Sequence, residues 1–342
     1  MLPIVIVTIL FAFAFTFTNG FQDAAAIAAT FIASRSATPR QGMIFIAILN
    51  LTGALLGGSA VAFTISTILL LPPDQQLVAV VLSGLLSAVS WNLMTWYRGL
   101  PSSSTYGLIG GLAGAGIAAA GLPGVNWGVE ALLSTPPELD GMVKIVVFLF
   151  LSLAIGFAGG YLMRKTTSLL LRNARRSANL RIVSVNWAAA GVMGFFNGAN
   201  DAQKQMGVIA LILFAGGVYS EITIPIWARV GCAVLLSLGT LSGGWRIMST
   251  LGRKIFTIRP VHSFDSQVST GTSLALSTLA GAPVSSSQVV TSSILGVGAG
   301  ENPLKMRWTV GRQIVVSLLV TIPATMVLAA AIYLIITHIP GG

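Results

Sequence analysis

Two short words place hydrogen-bonding and ionisable groups among apolar neighbours. The first is Phe17-Thr18-Asn19-Gly20-Phe21-Gln22-Asp23, and the second is Phe195-Phe196-Asn197-Gly198-Ala199-Asn200-Asp201-Ala202-Gln203-Lys204. A charged side chain at the centre of a membrane segment costs roughly 2.5–3.5 kcal/mol on insertion scales and usually faces a bundle interior or an ion pathway. Asp23 and Asp201, aided by oxygens of Asn19, Asn197 and Asn200, offer hard oxygen donors suited to sodium or to carrying a proton. Two further clusters carry hydroxyls, Ser102-Ser103-Ser104-Thr105 and Ser285-Ser286-Ser287. Hydroxyls and the free amides of a helix N-terminus donate to an oxyanion without a fixed charge that would hold it too tightly. The carboxylates would repel a bare oxyanion, so a cation set beside the anion stabilises both, which is the physical basis of coupled binding.

The elements that must position these groups are membrane helices. Hydrophobic residues make up 54% of the chain and charged residues only 8%, with a mean hydropathy of +0.86, which excludes a soluble core. Several apolar runs of about 20 residues or more can each cross the roughly 30 Å hydrocarbon layer. The start, Met1-Leu2-Pro3-Ile4, carries no basic residue before its apolar run, so the first helix is expected to stay. Cys232 is the only cysteine, which rules out an intrachain disulfide and leaves a small buried hydrophobe as its reading. The net charge of +10 is grouped between apolar runs, as orientation of membrane segments requires, and does not read as a nucleic-acid face.

As one helix, residues 3–34 would extend about 48 Å, too long for one crossing, so a break is expected at Asn19-Gly20. Residues 42–71 form one long returning helix ending at Leu71-Pro72-Pro73-Asp74. Runs 77–97 and 106–120 flank the first hydroxyl turn, as two crossings or as a re-entrant hairpin. Run 143–163 then leads to a basic linker, 164–182, holding Arg164, Lys165, Arg172, Arg175, Arg176 and Arg181, expected to be solvated and cytoplasmic. The second half repeats the order with runs 183–217, 222–245, 264–281, 288–300 and 313–337. Arg246, Arg253, Lys254, Arg259, Lys305, Arg307 and Arg312 mark its inner ends. Each half thus reads as a polar-interrupted helix, a long helix, a hydroxyl turn and a closing helix. The expected fold is an all-α polytopic membrane protein of two inverted-topology repeats, 1–163 and 183–342, with broken helices and re-entrant hairpins. Both termini are expected outside.

Along nearly its whole length the chain resembles the inorganic phosphate transporters of the PiT type. The resemblance rests on Asn19-Gly20-Phe21-Gln22-Asp23, Trp91-Asn92-Leu93 with Trp96-Tyr97 before Gly99-Leu100-Pro101-Ser102-Ser103-Ser104, Asn197-Gly198-Ala199-Asn200-Asp201, and Pro283-Val284-Ser285-Ser286-Ser287. It implies a phosphate site between the halves, cation-coupled uptake by alternating access, and no enzymatic reaction. Ser103, Ser104, Thr105, Ser285, Ser286 and Ser287 would then bind phosphate. Asn19, Asp23, Asn197, Asn200 and Asp201 would handle the cation, with sodium at Asp23 and Asp201 or a proton in its place. Gln22, Arg98, Gln203, Lys204 and Gln288 are secondary candidates.

The chain departs from the family pattern at five positions. Gln22 stands where Asn or His is common, Ala26 where Asn is expected, and Lys204 at the offset of Ala26 in the second repeat. Tyr106 and Gln288 follow the hydroxyl clusters where the family usually has His, so a histidine relay is not available there. His262 and His338 lie near segment ends and read as interfacial. Lys204 is also the nearest partner for Asp201, three residues away on a helix, for a purely structural ion pair. Arg98 reaches phosphate if its turn is deep and snorkels if it is shallow. Three other readings compete: sulfate as the oxyanion, an intramembrane aspartyl protease, and a passive channel or scaffold. The implied partners are phosphate, a coupling cation and the lipid bilayer of the plasma membrane, with no nucleic acid and a homodimer left open.

Overall fold

A computed structural model describes residues 2–98, 102–175, 177–242, 258–305 and 308–338. Gly99-Leu100-Pro101, Arg176, Arg246, Arg253, Lys254 and Arg307 from the sequence reading lie outside the described residues. Among the described residues the chain is helical, without a β-strand beyond one isolated bridge, Leu69 with Val125. The helices are α1 (Leu2–Ala33), α2 (Pro39–Leu56), α3 (Ala60–Ser66), α4 (Gln75–Tyr97), α5 (Ser104–Ala120), α6 (Val129–Leu133) and α7 (Gly141–Leu170). They continue as α8 (Ala178–Ala215), α9 (Ile226–Ser242), α10 (Pro260–Leu279), α11 (Ser286–Glu301) and α12 (Thr309–His338). Among the described residues six helices are long and apolar enough to cross a membrane: α1, α2, α4, α7, α8 and the Val315–His338 part of α12.

Local sequence explains several helix starts. Thr38 caps α2 in a capping box with Gln41, and Pro39 supplies a preset φ at the first helical position. Asp74 accepts from the Leu77 amide at the start of α4, and Ser103 accepts from the Tyr106 amide at the start of α5.

The two halves interlock. α1 packs on α9 and α8 packs on α2, so each polar word is held by a helix of the other repeat. α7, which closes the first repeat, covers the second hairpin (α10 and α11), while α12 covers the first hairpin (α4 and α5). The hairpin bases lie at opposite ends of α7. Asp140, beside its first residue, accepts from Asn126 near the first base, and Arg164, in its later turns, reaches Asp265 and Glu301 at the second. The tips meet in the interior, where Thr105 donates to the Val284 carbonyl at 3.1 Å and the Tyr106 hydroxyl to Gln288 at 2.6 Å. The hydroxyl turns are therefore re-entrant tips, and their irregular backbone is shielded by protein.

Three sequence expectations are corrected. The helix axis is unbroken through both polar words, because α1 and α8 run continuously across Asn19-Gly20 and Asn197–Asp201. Glycine serves close approach there: a Cβ on Gly20 would stand 2.2 Å from the Leu236 carbonyl oxygen, and one on Gly198 would stand 2.1 Å from that of Asn50. The break falls instead in run 42–71, between α2 and α3, where Gly58 takes φ +86°. Gln203 of α8 satisfies the freed backbone, donating to the Gly57 carbonyl at 2.7 Å and accepting from the Val61 amide at 2.8 Å. The third correction concerns Arg164, which is not a solvated linker charge. It is buried in α7, which runs on to Leu170, and α8 begins at Ala178.

Hydropathy also understates α10. Its buried face carries Ser263, Asp265, Ser266, Gln267, Ser269, Thr270, Ser273, Ser277 and Thr278, and α7, α8 and α11 surround it. Ser269 and Ser273 donate to the α7 carbonyls of Gly156 and Ser152, each within 2.9 Å, so its polar side chains bind helix backbone. Apolar side chains such as Phe150 and Leu162 of α7 and Leu319 and Val327 of α12 form part of the exposed surface.

Candidate functional site

The site lies where the mid-points of α1 and α8 meet the N-termini of α5 and α11. In the first repeat the Ser104 hydroxyl donates toward both Asn19 Oδ1 and Asp23 Oδ2, the latter at 3.1 Å. A hydroxyl has one proton, so these two acceptors share one donor. Asp23 is 3% exposed, and its Oδ1 has no hydrogen-bond partner among the described residues. Ser287, from the second hairpin, faces the same carboxylate. Beside it on α1, Gln22 donates to the Ser102 carbonyl at 3.2 Å while its buried Oε1 has no donor among the described residues.

The second repeat also sets a tip hydroxyl on its aspartate, without sharing it with an asparagine, and adds a cation. Ser286 donates to Asp201 at 3.1 Å, as Ser104 does to Asp23. Lys204, one turn further along α8, places its ammonium 2.6 Å from Asp201 Oδ1, 2.8 Å from Thr105 Oγ1 and 2.6 Å from the Val284 carbonyl oxygen. Both members of the pair are fully buried. Burial of two charges is favourable only where geometry and extra hydrogen bonds satisfy them, and here all three ammonium protons have acceptors.

The structure thus brings together Asn19, Gln22, Asp23, Asp201, Lys204, Ser104, Thr105, Ser286, Ser287 and Gln288. Ser103 and Ser285 are the N-cap residues of α5 and α11; Ser103 makes its capping bond, whereas Ser285 lies 3.5 Å from Ser287 and makes none. Three further predicted residues make contacts outside that cluster. Asn197 donates to Asn50 at 3.2 Å while its buried Oδ1 accepts no hydrogen bond among the described residues, and Asn50 in turn donates to Thr240 of α9. Asn200 shapes the second tip, donating to Thr278 and the Ala282 carbonyl and accepting from the Val284 amide. Gln203 binds the α2–α3 break. Arg98 is exposed at the end of α4, the shallow placement that suits snorkelling, and takes no part in the cluster.

Two features carry more weight than their sequence signal suggested. Lys204 looked like a secondary candidate, yet it joins α8 to both tips. Asn92 of α4 is fully buried, and neither its Oδ1 nor its Nδ2 has a partner among the described residues. Its place in Trp91-Asn92-Leu93 was the available signal. Cys232 is buried and free, with its sulfur 4.0 Å from the Thr16 hydroxyl, in line with its reading as a small hydrophobe.

Two helix N-termini converging on buried hydroxyls make an anion-binding surface, and the carboxylates beside them make a cation-binding one. Comparison with known proteins agrees with that chemistry. The model of the phosphate transporter family matches residues 19–186 and 172–329. A Bacillus subtilis protein described as a probable low-affinity inorganic phosphate transporter is 34% identical over 342 residues, covering 99% of both chains. A Mycobacterium tuberculosis protein of the same description is 40% identical over 347 residues, covering all of this chain and 79% of its own. A solved structure entitled "The sodium-dependent phosphate transporter" superposes with a TM-score of 0.79 at 25% identity, covering 98% of this chain and all of that one.

Proposed function

The chain belongs to the phosphate transporter family, and from that premise we propose that it is a cation-coupled symporter of inorganic phosphate working by alternating access. It is a transporter, and in this reading Asp23 and Asp201 serve ion binding and not the acid/base roles of an aspartyl protease. The observation that carries the reading is the sharing of Ser104 between Asn19 and Asp23. A cation on the Asp23 carboxylate would meet the demand of those oxygens and release the hydroxyl toward a phosphate oxygen. It would also remove the charge that repels the anion. Each ligand then favours the other, which is the reciprocity a symporter needs. The similarity to a sodium-dependent transporter favours sodium as the cation, and a proton on Asp23 would serve the same electrostatic purpose.

The arrangement of the hairpins supports alternating access. They enter from opposite ends and, among the described residues, meet at their tips, so a shift of one repeat against the other would open one side of the site as it closes the other. In this reading the protein lies in the plasma membrane, with the linker around 171–177 in the cytoplasm and both termini outside. Cysteine at Ser177 should resist an impermeant thiol reagent in intact cells and cysteine at His338 should react; the reverse pattern rejects this orientation.

Uptake into proteoliposomes tests the symport. Labelled phosphate should accumulate against its gradient only when a sodium or proton gradient is imposed, with sulfate competing weakly. Asp23→Asn should reduce concentrative uptake to the level of empty liposomes while the protein stays folded. Normal accumulation by that variant would overturn the assignment.

A further inference from the structure

We propose that the Lys204 ammonium is a cation built into the chain. It stands at the second-repeat aspartate where the first repeat must take a cation from solution, so one coupling cation, bound at Asp23, accompanies each phosphate. The inference rests on the symport reading above.

The charge carried by the two polar words differs at one offset. Three residues after Asp201 comes Lys204, and three residues after Asp23 comes Ala26, which is buried and apolar. The ammonium is surrounded by a carboxylate oxygen, a hydroxyl oxygen and a backbone carbonyl oxygen, all within 2.8 Å. That set is what a hard cation bound by protein oxygens takes. Its three protons are all used, so Asp201 is already neutralised and has no call on a soluble ion. The Asp23 side has the opposite balance. Asp23 Oδ1 and Gln22 Oε1 accept no hydrogen bond among the described residues, with only the Ser287 hydroxyl facing the Asp23 carboxylate from the second hairpin, and Asp23 Oδ2 shares one hydroxyl proton with Asn19. With both carboxylates ionised the three charged groups of the cluster sum to −1, and a single added cation brings them to zero.

The number of cations per phosphate can be read from the balance point of opposed gradients. Purified protein is reconstituted, the membrane potential is clamped at zero, and the phosphate gradient that just cancels an imposed sodium or proton gradient is measured. In the wild type a roughly tenfold cation gradient should balance about a tenfold phosphate gradient, one cation per phosphate. In Lys204→Met, Asp201 needs a cation of its own, and the same gradient should balance about a hundredfold phosphate gradient. A wild-type ratio of two, or an unchanged ratio in Lys204→Met, overturns the proposal.

Because Lys204→Met leaves a buried carboxylate unpaired, the paired variant Asp201→Asn/Lys204→Met is measured beside it. That variant removes both charges, and whatever its rate, the balance point of the uptake it retains should stay at one cation per phosphate. Loss of uptake in both variants, with intact folding by size-exclusion chromatography, would show that the ammonium binds phosphate itself and would overturn the proposal. Absence of gradient-driven uptake in the wild type would remove the symport reading, and the proposal with it, before any variant is compared.

Discussion

The base of the second hairpin is fastened to α7 by charge, whereas neutral contacts hold the base of the first to α12. At the second, Arg164 lies 3.2 Å from Asp265 and 2.7 Å from Glu301, and Thr167 donates to Asp265 at 2.9 Å. Arg164 and Asp265 are buried, while the Glu301 side chain is 37% exposed, so most of the attachment comes from Asp265. Along the first hairpin, Gln76 donates to Tyr333 at 3.2 Å and Ser87 to the Thr325 carbonyl at 2.9 Å. The rest is close packing: a Cβ on Gly114 of α5 would stand 2.2 Å from the Met326 carbonyl oxygen. The tips differ in the same direction but less sharply: the Lys204 ammonium binds both, and with Asn200 of α8 it gives the second tip four hydrogen bonds against one to Thr105 of the first. Gln22 and Ser104 join the first tip to α1 with fewer bonds and no cation. Equivalent positions in the two repeats thus carry unequal restraints, and the first hairpin is the less firmly held.

That contrast can be broken most severely at the aspartates. Asp201→Asn strands the fully buried Lys204 ammonium, so it should cost about 3–5 kcal/mol of stability. Asp23→Asn removes a carboxylate with an unpaired oxygen and should cost nothing in stability while abolishing uptake. Thermal unfolding of the two variants in detergent decides; equal destabilisation would show that the two halves are restrained alike.

The hairpin bases give the next test. Arg164→Met leaves Asp265 buried without its cation and should destabilise the protein by about 3 kcal/mol. Gln76→Ala, which breaks neutral hydrogen bonds, should cost only about 1 kcal/mol. Hydrogen exchange would sharpen the result: faster exchange confined to α10 and α11 is expected in Arg164→Met. Uniform acceleration across both hairpins would mean that Arg164 holds the fold as a whole.

The tip hydroxyls should give the smallest effects. Ser104→Ala and Ser286→Ala should each weaken phosphate binding by about 1 kcal/mol, or up to about 3 where the lost bond is charge-assisted. Ser103→Ala also removes the α5 cap and should lose about 1 kcal/mol of stability, whereas Ser285→Ala removes no capping bond and should lose less. Calorimetric phosphate titrations, paired with melting curves, separate binding from capping. Unchanged phosphate affinity in all four would place the anion elsewhere.

Much of this was legible in the chain because membrane insertion leaves few options for polar residues. Apolar runs, basic ends and two repeated polar words determined the helical class, the duplication and the aspartates, since intramembrane charge must have a partner or a task. The resemblance carried by the four motifs supplied the phosphate reading. Which polar groups meet was decided only by the tertiary structure. Asn197, Asn200 and Asn19 look alike in sequence, yet the amide groups of the first two donate to other parts of the second repeat and α2, and only Asn19 shares a donor with an aspartate, because each faces a different helix. Gly20 and Gly198 read locally as helix breaks; the neighbouring backbones pressed against them make them contact points in continuous helices. Arg164 read as one more linker charge, and only the packing of α7 on the second hairpin brings Asp265 within its reach. Lys204 and Thr105 are 99 residues apart, and their bond requires the two inverted halves to interlock. Local pattern specifies what a residue can do, and the long-range contact selects which of those things it does.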